Sequence, residues 1–106
     1  MKVDVIDEDL KELIFEGRNS GKYKKLARNE KFVKNLAKIY KIMCSIENTI
    51  QLKDYSYLHY EKLRNNVGLS SIRVVNGMIE RLLFQEKNNG IEIVLIELNS
   101  DHYGRI

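Results

Sequence analysis

A chain of 106 residues has room for one hydrophobic core and not for a second. With 43% hydrophobic and 31% charged residues it is a globular protein and not a disordered one, and no apolar run approaches the roughly 18–20 residues that cross a bilayer. The formal net charge of +3 conceals an asymmetry: nine cations between Arg18 and Lys41 are opposed only by Glu30, so that segment carries +8 and the rest −5. Such a segment suits a polyanion or an acidic partner, and equally a solvated helix face.

The N-terminal MKVDVIDEDL places acids where a secretion signal would have its apolar stretch, and the lone Cys44 has no partner for an internal disulfide. A cytoplasmic location is therefore expected. Val3 and Val5 alternate with polar residues, which predicts a short edge strand. Asp7 then caps a helix through Leu10, Leu13 and Ile14, with acids in its first turn and Gly17 as its stop. The polar GRNSGKYKK (17–25) is a loop. Asn29 caps the clearest helix, ending near Cys44–Ser45, on which Phe32, Leu36, Ile39, Tyr40 and Met43 recur at one-face spacing and Lys31, Lys34, Lys38 and Lys41 take the other side. Cys44 lies at the apolar edge, as core filler.

From Tyr57 the pattern changes to strands: LSSIRVV (69–75), MIERLLF (78–84) and IEIVLIEL (91–98), the first two joined by Asn76-Gly77. Asn-Gly between β-rich runs signals a tight hairpin. The expected class is α+β: N-terminal helices packed on an antiparallel meander of about four strands, one domain over residues 1–106. A two-residue turn would set Arg73 opposite Glu80, as an ion pair, and Ile72 opposite Arg81. Arg81 would then stand without a mate on an apolar surface, and must either bind an anion on an exposed face or meet an acid inside. The segment YLHYEKLRNN (57–66) poses a related question. Side chains three apart point to opposite sides of a regular strand, so His59 and Lys62 share a site only if the backbone there is irregular.

LHYEKL (58–63) is similar to the L-H-P-L-K-G loop of the HigB-type toxins of the RelE/ParE superfamily. SIRVVNGMIERLLF (71–84) resembles their S-I-R-V-N-G-x-W-R-I-x-F hairpin with two residues added, SDHYG (100–104) their terminal D-Y-H, and GRNSGKYKKLA (17–27) their basic loop. Tyr60 stands for the loop proline, Glu80 for the tryptophan, and His102-Tyr103 reverses the terminal order. The resemblance implies a RelE-like fold and the toxin of a type II toxin–antitoxin system. It would be a ribosome-dependent endoribonuclease cutting mRNA in the ribosomal A site, by attack of a ribose 2′-hydroxyl on the adjacent phosphorus. No metal or cofactor is implied, because the nucleophile belongs to the substrate. The implied catalytic residues are His59 for proton transfer, Lys62 and Arg81 for phosphate charge, and His102 or Tyr103 as the second proton group. Lys22, Lys24, Lys25, Arg28 and Arg73 would contact RNA. The implied protein partner is a small helix-turn-helix antitoxin. Two alternatives stay open: a non-catalytic gyrase inhibitor like the ParE branch, and a degenerate member that only binds RNA or protein. Tyr55, Tyr57 and Tyr60 are read as packing residues.

Overall fold

The computed structural model describes residues 1–63 and 68–100. Strand β1 (Lys2–Val5) leads into helix α1 (Glu8–Glu16), where the Asp7 carboxylate accepts from Asp9 N at 3.0 Å and Gly17 ends the helix at φ 70°. Both ends follow the expected chemistry, since an Asx cap satisfies a first-turn N–H and glycine enters the left-handed region without a Cβ clash. Helix α2 (Glu30–Ser45) starts at Asn29, whose side chain accepts from Phe32 N at 3.0 Å. It buries Phe32, Leu36, Ile39 and Met43 in one core with Leu10 and Leu13 of α1 and the inner face of the sheet. Tyr40, on the same stripe, is half-buried and meets the Phe15 ring edge-on at 5.0 Å. Among the described residues no helix is long and apolar enough to cross a membrane.

The sheet has five strands in the order β1-β5-β4-β3-β2, with β2 at Glu61–Lys62, β3 at Leu69–Arg73, β4 at Arg81–Lys87 and β5 at Glu92–Asn99. Hence the α+β class holds, with one strand more than expected. The arrangement is also not purely antiparallel, because β1 pairs with β5 in parallel. The α1–α2 crossover returns the chain to the sheet from the helix side, and a parallel partner needs such a long connection. The two-residue β2 was too short to register as a periodic run.

The hairpin register differs from the expected one by a single position. Ile72 faces Leu82 and Arg73 faces Arg81, so Arg73 does not oppose Glu80 and Ile72 does not oppose Arg81. Asn76-Gly77 does form the turn, closed by Met78 N donating to Val75 O at 3.1 Å, but only Gly77 has a positive φ (94°). Both primed hairpin turns need a positive φ at the first central residue, here Asn76, and other turns splay the strands. Val74 and Val75 leave the ladder for the core, where each is 5% exposed, and Asn35 Nδ2 of α2 donates to Val74 O at 3.2 Å. Burying a valine stabilises by about 1.5–3 kcal/mol. A backbone rung nets about 0.5–1.5 kcal/mol, so packing wins. A one-residue slip turns every side chain over.

Candidate nucleic-acid interface

Strand alternation divides the sheet cleanly. Ile72, Leu82 and Phe84 face the helices and are fully buried. The other face carries the rows Glu61–Ser71–Leu83–Glu97 and Arg73–Arg81–Asn99, running across neighbouring strands. Arg73 and Arg81 are directly opposed, and two like charges in that position repel. Arg81 is recessed, its side chain 14% exposed. Its Nε donates to Ser71 Oγ at 2.9 Å, its Nη2 to His59 O at 2.8 Å, and Glu61 Oε1 lies 3.7 Å from Nη2. Burial lowers the Arg81 pKa, Glu61 opposing the shift and Arg73 adding to it; an arginine remains a cation throughout the accessible range. Two of its five N–H groups are thus engaged. Arg73 Nε is buried with no hydrogen-bond partner among the described residues.

His59 joins this cluster through its backbone. A single 3₁₀ turn (Ser56–Leu58), anchored by the fully buried Leu58, ends with His59 at φ 50°, ψ 50°. That left-handed conformation costs a non-glycine residue about 1–2 kcal/mol. It aims the carbonyl at Arg81 and leaves the residue exposed. So the backbone is irregular at His59, the condition set for His59 and Lys62 to share a site.

Lys62 does not join it. The β2 register sets Glu61 opposite Ser71 and Lys62 opposite Ser70, so Glu61, not Lys62, stands on the arginine face. The irregularity ends at His59, and the strand that follows sends residues 61 and 62 to opposite sides. Lys62 acts on a carboxylate that the sequence did not single out. Glu86 accepts from Thr49 Oγ1 at 2.6 Å and from Tyr60 Oη and Ser70 Oγ, each at 2.5 Å. Burial pushes the Glu86 pKa up, but the three hydroxyl donors and the Lys62 charge outweigh it, and the net shift is downward. Burial, then Glu86, pushes Tyr60 up to about 12. Tyr60 also stacks on Phe84 at 6.2 Å, the packing role expected of it. Glu86 falls in a strand among polar neighbours, and its partners arrive from three distant segments.

The basic loop is built on Asn19, which is 8% exposed. Its Nδ2 donates to Asp9 Oδ1 at 3.0 Å and Glu12 Oε1 at 2.9 Å, while its Oδ1 accepts from Gly21 N and Tyr23 N. Tyr23 Oη in turn accepts from Leu98 N at 3.0 Å and donates to Asp7 Oδ2 at 3.3 Å. Because β1 stops at Val5 opposite Leu95, the free edge of β5 beyond that point meets the loop through Tyr23. Exposed Lys22, Lys24, Lys25 and Arg28 belong to the segment so tethered, and Lys22 pairs with Asp7 at 2.5 Å. The remaining two expected catalytic residues, His102 and Tyr103, lie outside the described residues. Comparison with protein-family models, curated proteins and solved structures finds no match to this chain.

Proposed function

We propose that this protein is a RelE-like toxin of the HigB type, a ribosome-dependent endoribonuclease that cleaves mRNA in the ribosomal A site and is neutralised by a small helix-turn-helix antitoxin. The observation that carries the reading is the opposed Arg73–Arg81 pair, flanked on one side by His59 and on the other by the tethered basic loop. A phosphodiester between two like charges relieves their repulsion. The free N–H groups of Arg81 suit a two-oxygen contact, and the opposed Arg73 adds a second positive charge beside it. Stabilising the negative charge that builds up on the phosphate oxygens is usually the largest single contribution in such a site. The exposed His59 takes the proton-transfer role beside it, with His102 or Tyr103 as the second proton group by resemblance. Lys62 is left out of the phosphate site and balances Glu86 instead.

Inducing the wild type beside His59→Ala and Arg81→Ala, with mapping of transcript 5′ ends, tests this. Growth arrest with new ends, both lost in the variants, is the expected outcome. The displacement of Lys62 from the arginine face favours, as a second reading, a non-catalytic inhibitor of the gyrase-binding kind. Arrest with intact transcripts, unaffected by His59→Ala, would establish that instead.

A further inference from the structure

Where the basic loop meets the end of β5, a cleft of about 360 Å³ opens between Lys22, Tyr23, Lys25 and Leu26 on one wall and Glu80 and Glu97 on the other. Its volume is within the range of small-molecule sites. The proposed cleavage gives its acidic wall no role. Glu97 shares the outer face with Arg81, because Arg81 pairs with Asn99 and Leu83 with Glu97. Its Oε2 accepts from Asn99 Nδ2 at 2.9 Å, which fixes the carboxylate's direction. Glu80 adjoins Arg81 in the chain and, among the described residues, forms no hydrogen bond or ion pair. At about 4.8 Å between strands, the cleft begins within about one nucleotide's reach of the Arg73–Arg81 pair.

A carboxylate is an acceptor only, with two oxygens and about four lone-pair sites. Of the RNA bases, guanine alone presents two adjacent N–H donors, N1–H and the N2 amino group, that can meet both oxygens of one carboxylate. We propose that this cleft reads a guanine base next to the phosphate held by Arg73 and Arg81. Glu97 accepts from N1–H and N2–H, Leu26 supplies an apolar wall, and Lys25 neutralises the following phosphate. Glu80 adds a second acceptor at the rim. The proposal rests on the endoribonuclease reading for the position of the phosphate.

Two measurements on the full chain separate the failure of one from that of the other. In anisotropy titrations with short single-stranded RNAs that differ at one position, guanine is expected to bind about tenfold tighter than inosine, which lacks the N2 amino group. Glu97→Gln, whose amide offers one acceptor and one donor, should remove that preference by bringing the guanine RNA down to the affinity of the inosine RNA, which itself stays within about twofold. Arg81→Ala should weaken both RNAs alike. Independently of any RNA backbone, guanosine monophosphate should shift the Leu98 amide resonance, which reports on the Tyr23 hydroxyl at the cleft, more than inosine monophosphate does. Equal binding of guanine and inosine RNAs with Arg81→Ala still impaired would overturn the base-reading cleft alone. RNA affinity indifferent to Arg81→Ala would sink the phosphate site, and a guanosine-specific Leu98 shift under those conditions would leave the cleft standing as a nucleotide site. No difference between the two monophosphates, together with no difference between the RNAs, rejects it outright.

Discussion

At the residue scale the decisive conformation is that of His59. Its left-handed backbone is held by the buried Leu58 before it and by the Arg81 guanidinium on its carbonyl. Glycine tolerates that conformation and alanine does not, so His59→Gly is expected to be about 1 kcal/mol more stable than His59→Ala in urea denaturation. On the proposed endoribonuclease reading both should lose cleavage equally, since neither carries an imidazole. Arg81→Lys keeps the charge but loses the planar fork that contacts Ser71 and His59 together, and a cleavage loss of about 10²–10³-fold is expected by single-turnover assay. Glu86 gives a pH signature. Its folded pKa lies below the ordinary value, so its contribution is present above the unfolded pKa of about 4.5 and is lost as pH falls through the folded one. Accordingly Glu86→Gln should cost about 1–2 kcal/mol near neutral pH, at the low end for charged hydrogen bonds because the carboxylate is partly solvated, and the gap from wild type should close in acid.

At the scale of elements, the basic loop owes its shape to one buried amide. Asn19 ties α1 to Gly21 and Tyr23 with four hydrogen bonds, and a Cβ at position 21 would come within 2.6 Å of Asp9 Oδ1. Asn19→Ala should therefore destabilise the fold by about 2–3 kcal/mol in denaturant titrations. It should also weaken RNA binding several-fold, because the freed loop must be ordered again on contact. The β3–β4 connection shows the opposite balance. Its local Asn-Gly signal places the turn correctly, yet Val74 and Val75 take the chain into the core and set the register.

At the scale of the whole molecule, the excess charge of the Arg18–Lys41 segment is divided. Lys22, Lys24, Lys25 and Arg28 belong to the segment that Tyr23 tethers to β5, whereas Lys31, Lys34, Lys38 and Lys41 lie exposed on α2, on the helix layer. RNA affinity should then respond to about five phosphate contacts, a slope of about −3 to −4 in log affinity against log salt. Replacing Lys34 and Lys38 together with glutamine should leave that slope unchanged, while Lys25→Gln with Arg28→Gln should reduce it.

The sequence by itself determined whatever depends on short-range chemistry. Asp7, Gly17 and Asn29 delimit the helices through their own side chains or lack of one, and the stripe from Phe32 to Met43 names the buried face. Only the tertiary structure decided what depends on a count of residues between distant partners. The one-position slip that sets Arg73 against Arg81, the turning of Lys62 away from them, and the convergence of Thr49, Tyr60 and Ser70 on Glu86 all arise from register. Alternation makes a side chain's face a matter of odd or even, and that parity is set by core burial competing with turn geometry, neither of which is written in any one stretch of the chain.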